Sequence, residues 1–301
     1  MIARLREDAM ALFISVGIVL ISIIAAIPLL FTFVMAWRLV HPLRKPLESH
    51  PRLLDIPHED VTIDSPAGNL AAWFLPGTNG RTLIGLHGIN DNREQWLIPA
   101  RDLQARGYAS LLFDFRGHGQ SQGRHVTFGD RETEDVAAAL EYLQQRGDID
   151  MNRVGLMGLS LGGIAAIIAT ARLPGIHAVM VEAAFPDLQQ DLAHAFQRYT
   201  GLPPFPLAFL TAWWGQIIVG TNLSEMRAIA AVDKIAPRPI FIIGDLLDNL
   251  VDEPRGSDAL FARAGEPKQL WQLPNAKHVR AYQVGPEEYI DRLDAFFSDA
   301  L

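Results

Sequence analysis

Residues 158–162 read Gly158, Leu159, Ser160, Leu161, Gly162, and they stand between an apolar run at 154–157 and a helix-like run at 164–171. A strand that turns directly into a helix across Gly-x-Ser-x-Gly commits the chain to a sharp, strained turn. The glycines let strand and helix approach, and the serine is lifted to the apex. A hydroxyl is a useful nucleophile only when it is exposed and next to a base, so the feature that constrains the fold also marks Ser160 as a candidate nucleophile. The pentapeptide carries weight only if a base, an acid, oxyanion donors and an alternating strand and helix pattern follow in the right order.

The alternation is present. Short apolar runs at 82–86, 110–115, 154–157, 178–182, 240–243 and 270–273 are separated by segments of helical period, which predicts a mostly parallel sheet covered by helices. Residues 61–64 and 70–75 flank the turn-rich Ser65, Pro66, Ala67, Gly68 and Asn69, and predict an opening antiparallel hairpin. Val136, Leu140 and Leu143 share one helical face, as do Tyr289, Leu293, Phe296 and Phe297.

At 301 residues the chain has room for one large domain with a sizeable apolar core. With no cysteine, disulfides and thiolate metal sites are excluded. A net charge of -8 argues against nucleic acid, which needs a basic surface to release counterions. Neither a Walker loop nor HExxH is found, and no internal repeat.

The N-terminus is different in kind. Residues 9–37 carry no charge, and as a helix at ~1.5 Å per residue they exceed the ~30 Å hydrocarbon core of a bilayer. A tilted or Pro28-kinked single span follows; the alternative is a cleaved signal peptide, with Arg4 and Arg6 as its basic start and Val34 and Ala36 as its small-residue site. Arg4 and Arg6 stand beside Glu7 and Asp8, whereas Arg38, Arg44, Lys45 and Arg52 trail the span, so positive-inside counting favours a cytoplasmic C-terminal domain. Pro42, Pro46, Pro51 and Pro57 predict an extended tether over 38–59, with the globular domain at 60–301.

The loops after the strands carry the remaining candidates. Gly85, Leu86, His87, Gly88, Ile89 lets backbone approach a substrate oxygen, so the N–H of Ile89 can join that of Leu161 as an oxyanion hole; a plain turn with Asn92 as N-cap is the alternative. The loop at 114–123, DFRGHGQSQG, looks like a dinucleotide turn, but its third glycine is one residue late and no helix follows at once, so no cofactor is expected and His118 reads as structural. After the run at 240–243, Asp245, Asp248 and Asp252 compete as the acid, and Asp248 is favoured by its spacing to Val251 at the loop tip. Of nine histidines only His278 lies beyond them, completing the order serine, acid, base.

GLHG at 85–88, DFRGHGQSQG at 114–123, GLSLGG at 158–163 and the NAKH ending at 278 together resemble the α/β-hydrolase superfamily, in its serine esterase, acylglycerol lipase-like or prolyl oligopeptidase-like branch, over residues 60–300. The resemblance implies a Ser160–His278–Asp248 triad, an acyl-enzyme and no metal or organic cofactor. One departure touches the acid: the family's aspartate usually stands three residues after the glycine, where this chain has Leu247.

Residues 186–232 are far longer than a usual strand-to-helix connection and predict a helical cap that chooses the substrate. Its uncharged stretch includes Phe205, Phe209, Trp213 and Trp214; the expected form is a buried helix with tryptophans turned to the core, the sharper one a lid at a membrane surface. The leading expectation is a membrane-anchored hydrolase of small-molecule or lipid esters. A peptidase, a thioesterase, an acyltransferase and a non-catalytic tethered scaffold are the rivals, and oligomeric state is left open.

Overall fold

The computed structural model describes the backbone of residues 2–301 and the side chains of all but 2–5, 7, 199 and 224, so the flanking charges Arg4 and Glu7 lie outside the described side chains. Helix α1 spans Ile2–Val40 and continues through Pro28; its apolar part, Asp8–Val40, is long and apolar enough to cross a membrane. At ~1.5 Å per residue α1 is about 58 Å long, well beyond one bilayer core. The surplus is used at its C-terminal end, where Thr32, Ala36 and Val40 are fully buried against the rest of the protein.

Eight strands follow: β1 Glu59–Ser65, β2 Gly68–Leu75, β3 Thr82–Leu86, β4 Ala109–Phe113, β5 Val154–Leu159, β6 Ala178–Glu182, β7 Ile240–Asp245 and β8 Lys268–Leu273. Their order in one sheet is β1-β2-β4-β3-β5-β6-β7-β8, with β2 antiparallel to both neighbours and parallel pairing from β4 onward. The opening hairpin pairs Ser65 with Gly68, leaving a two-residue turn at Pro66 and Ala67 that is tighter than the five-residue turn expected. β4 ends at Phe113 rather than 115, which frees Asp114 and Phe115 for the loop beyond.

The helices are α2 Leu97–Gln104, α3 Glu132–Arg146, α4 Leu161–Arg172, α5 Leu188–Thr200, α6 Leu207–Val219, α7 Arg255–Arg263, α8 Ala281–Val284 and α9 Pro286–Ala300. Two apolar layers sandwich the sheet. On one side α3 and α4 supply Val136, Leu140, Leu143, Ile164 and Ile168; on the other α2 and α9 supply Leu103, Tyr289, Leu293, Phe296 and Phe297. The residues with helical period in the sequence are those that fill these layers. The central strands are buried on both faces, which is why they read as unbroken apolar runs and do not alternate.

Over 186–232 the chain forms α5, α6 and three single 3₁₀ turns. The expectation that the α6 tryptophans face the core is corrected: Trp213 is half exposed, as are Phe209 and Ile217, while Trp214 packs edge-on against Phe33 of α1 at 5.4 Å between ring centroids. Phe196 of α5 meets Phe31 of α1 in the same way at 6.4 Å. A helix apolar on every side buries whichever face finds a partner, and α1 is that partner.

Candidate active site

The parallel strands end at one edge, and the loops that leave β3, β5, β7 and β8 converge there. Ser160 sits between β5 and α4 with φ +54° and ψ −114°, a conformation that costs a non-glycine residue on the order of 1–3 kcal/mol and is held by its surroundings. Its N–H donates to the Glu182 carbonyl at 2.9 Å, and its own carbonyl accepts from Gly163 and Ile164 at the start of α4. Gly162 is obligatory: a Cβ there would collide with the carbonyls of Leu86 and His87 at the end of β3.

Three of the predicted residues come together. His278 Nε2 lies 3.0 Å from Ser160 Oγ, and His278 Nδ1 lies 2.6 Å from Asp248 Oδ2. The Asp248 side chain is fully buried, and its other oxygen accepts from the N–H groups of Leu250 (2.7 Å) and Val251 (3.1 Å). These bonds fix the carboxylate so that it meets Nδ1, and the histidine is presented to the serine through Nε2. Asp252 is drawn away to Arg255 at 2.9 Å.

Asp248 stands one residue beyond the position that the resemblance implies for the acid. β7 extends through Gly244 to Asp245, because Gly244 and Asp245 continue the ladder to Gln272 and Leu273 of β8. The loop therefore starts later, and Asp248 occupies its tip. Asp245 instead lies beneath the histidine loop, where its Oδ2 accepts the Val279 N–H at 2.7 Å. Glu182, at the end of β6, accepts the Ala281 N–H at 3.0 Å and the Tyr289 hydroxyl at 2.8 Å. Burial and the neighbouring Glu182 charge push Asp245 up to about 9, and burial raises Glu182 as well. At neutral pH Asp245 therefore stays protonated beside Glu182. Sequence reading missed Glu182; the available signal was a charged residue closing an otherwise apolar strand.

Ile89 follows Gly88, whose ideal Cβ position is 3.5 Å from Ser160 Cβ, so the β3 loop lies directly against the serine. Leu161 is the first residue of α4. Asn92 caps the short 3₁₀ turn Arg93–Trp96 by accepting from Glu94 N–H at 2.9 Å, so the cap and the approach of the loop to the serine coexist. His87 accepts the Phe115 N–H on Nε2 (3.0 Å) and donates from Nδ1 to the Gly88 carbonyl (2.7 Å); burial lowers it to about 4, so it stays neutral. His118 is also buried, bonded to the Arg116 carbonyl, set edge-on to His87 at 4.9 Å between ring centroids and lowered to about 3. The 114–123 loop serves structure: Asp114 is buried and paired with Arg93, and it accepts the N–H groups of Arg93 and Gln120.

A cleft of about 720 Å³ opens beside Ser160 and His278, walled by Trp96, Ile98, Pro99, Leu250 and Tyr282 with Asp91 and Glu94 at its rim. No described residue of 186–232 lines this cleft; Leu188, Val219 and Leu223 of that segment instead share an apolar cluster with Ile89 and Leu161 behind it. One group of potential metal ligands, His50, His58 and Asp60, occurs among the described residues. His50 Nδ1 accepts the Arg52 N–H and so its Nε2 carries the hydrogen given to Asp60, leaving no lone pair for a cation.

A parallel sheet with a strained nucleophile elbow and a histidine after its last strand defines an α/β hydrolase. Residues 57–235 match the family described as X-Pro dipeptidyl-peptidase (S15 family), and the chain belongs to that family. It is 26% identical over 242 residues to the Salmonella typhi protein YfhR, covering 74% of this chain and 75% of the relative. It is 27% identical over 288 residues to the Mycobacterium tuberculosis protein Rv2307c, covering 94% of each. Among solved structures, the Pyrococcus furiosus esterase Pf2001 superposes with a TM-score of 0.72 at 27% identity, covering 87% of this chain and 99% of the esterase.

Proposed function

We propose that this protein is a membrane-anchored serine hydrolase that cleaves carboxylic esters with a hydrophobic acyl or alcohol part. The observation that carries the reading is the unbroken relay from Asp248 through His278 to a serine at a strained elbow, open to a cleft whose wall joins apolar side chains such as Trp96, Ile98 and Leu250 to polar ones such as Asp91 and Gln95. Ser160 Oγ attacks the ester carbonyl carbon while His278 Nε2 takes its proton, and Asp248 stabilises the imidazolium. The oxyanion is stabilised by the N–H groups of Ile89 and Leu161. The carbon–oxygen bond to the alcohol breaks, His278 returns the proton to the leaving oxygen, and an acyl-Ser160 ester results. Water, deprotonated by the same histidine, then releases the acid and regenerates the hydroxyl.

The similarity to a structurally characterised esterase supports the ester substrate. A dipeptidyl-peptidase activity is the second reading, favoured by the family match over residues 57–235. In this reading α1 is the anchor and the cytoplasm holds the hydrolase domain. The exposed apolar side chains of Phe205, Phe209, Trp213 and Ile217 recur every fourth residue beside α1, which supports a cap resting on the same bilayer.

The test is labelling of the purified full chain with a fluorophosphonate, alongside Ser160→Ala and His278→Ala, followed by an ester chain-length series set against X-Pro amides. Labelling at Ser160 that both variants lose, with esters turned over faster than amides, is the expected result. No labelling of folded protein would overturn the catalytic reading in favour of a tethered scaffold, and preference for X-Pro amides would replace the esterase by a peptidase. Protease protection in sealed vesicles tests orientation, since digestion from outside the cytoplasmic face would exclude it.

A further inference from the structure

The loop that carries Ile89 is supported from two sides. From within the domain, Gln95 Oε1 of the 3₁₀ turn accepts the Gly88 N–H at 2.8 Å and His87 donates to the Gly88 carbonyl. From the other side the supports come from residues 41–48, ahead of the first strand. Leu43 N–H donates to Asn90 Oδ1 at 2.7 Å, Lys45 Nζ meets Asp91 Oδ1 at 3.0 Å, and Asn92 Nδ2 donates to the Lys45 carbonyl at 3.2 Å. Asn90 is held at φ +59°, a region asparagine tolerates better than most residues, so the peptide after Ile89 is turned by a residue that this segment grips.

The same segment is tied down further along. Arg44 spreads its guanidinium over the carbonyls of Gly119 (3.2 Å), Ser121 (2.5 Å) and Gly123 (2.9 Å), with that of His118 at 3.4 Å, and Pro42 lies against the turn at Gly117. The last turn of α1 completes the arrangement: the Val40 carbonyl accepts the Val126 N–H at 2.9 Å, and Leu39 and Val40 share an apolar cluster with Ile89 and Leu161. Both candidate oxyanion donors therefore belong to residues whose side chains pack with the end of the membrane-type helix. An extended tether would have no such bonds; residues 41–50 lack helix and strand but are fastened to two loops of the domain, and Pro51–Leu54 forms a 3₁₀ turn.

We infer that residues 41–46 are a strap that positions the Ile89 N–H for the oxyanion, so that the seating of α1 on the domain sets the rate of the chemical step. This rests on Ser160 being the nucleophile. Single bonds at exposed sites contribute little to global stability, so the strap acts on the geometry of one loop more than on folding. Arg44 lies outside the cleft and is a positioning residue; Asn90 stands on the cleft wall, and its proposed part is to position the Ile89 peptide through its bond to Leu43.

The experiment uses the full chain in detergent with a soluble ester and a trifluoromethyl ketone, which forms a tetrahedral adduct with an activated serine. Asn90→Gly keeps the positive φ and deletes the acceptor for Leu43, whereas Asn90→Asp keeps the acceptor. Deleting an oxyanion donor outright costs ~10²–10³ in kcat, and a displaced donor is expected to cost about 10-fold. The expected result is that loss in kcat for Asn90→Gly and Arg44→Ala with KM nearly unchanged, a parallel loss in ketone affinity, an unchanged number of titratable Ser160 sites, and recovery in Asn90→Asp. Wild-type kcat and ketone affinity in both damaging variants would overturn the strap, as would a kcat loss explained by fewer titratable sites. Failure of the unsubstituted protein to react with the ketone would instead sink the hydrolase reading, a distinguishable outcome.

Discussion

The backbone N–H of Val279 donates to Asp245 Oδ2 at 2.7 Å, so a carboxyl at the end of β7 grips the residue that follows His278. Asp245 is raised from 3.8 to about 9 by burial and by Glu182, and the native state therefore holds a proton that the unfolded chain releases. Between about pH 4 and 9 the unfolded state binds fewer protons, and stability falls as pH rises through that window, with a limiting slope of about 1.4 kcal/mol per pH unit. The contribution is fully present below the unfolded value and lost above the folded one. Denaturant unfolding at pH 5, 7 and 9 is expected to give a shallower decline for Asp245→Asn than for the unsubstituted chain. Parallel declines would remove the proton from this pair.

Asp248 and Asp252 make a direct comparison for the acid. With Asp248 buried on His278 Nδ1, Asp248→Asn is expected to lower kcat by roughly 10⁴, the scale seen when a triad histidine is held in the wrong tautomer. Asp252→Asn, which loses only a surface contact to Arg255, is expected to leave kcat near its original value. Steady-state rates on one ester decide it, and the reverse ranking would move the acid.

Gly162→Ala tests the elbow. Its new methyl would press on main-chain carbonyls of Leu86 and His87, which cannot rotate away, and we expect a loss of about 3 kcal/mol in unfolding free energy together with loss of serine labelling. A well-folded, fully labelled Gly162→Ala protein would contradict the tight crossing of β3 and α4.

The exposed face of α6 gives a substrate-presentation test. Phe209→Ser combined with Trp213→Ser removes apolar surface that contacts no active-site residue, so hydrolysis of a soluble short-chain ester is expected to be unchanged. Hydrolysis of esters presented in vesicles is expected to fall several-fold. Equal rates for both substrates in the variant and its parent would detach the cap from the bilayer.

Much of the fold is legible in the sequence because it depends on local pattern. β3 and β6 lie where their apolar runs lie, since a strand buried on both faces needs an unbroken run, and α3 and α9 bury the residues that share a helical face. Ser160 and His278 were legible from a strained turn and from order along the chain. Which aspartate meets His278 was legible as a choice among three only, because it depends on how far β7 pairs with β8, and ladder length is set by the neighbouring strand.

What the sequence by itself determined is the alternation of strands and helices, the elbow and the uncharged stretch at 9–37, each a property of neighbouring residues. Tertiary structure alone decided which face of α6 is covered, because an apolar helix without a polar side carries no facing preference until α1 packs on it. It also decided that Glu182 meets Asp245 and that residues 41–46 hold the Ile89 loop, since these contacts join segments far apart in the chain whose approach depends on the packed sheet.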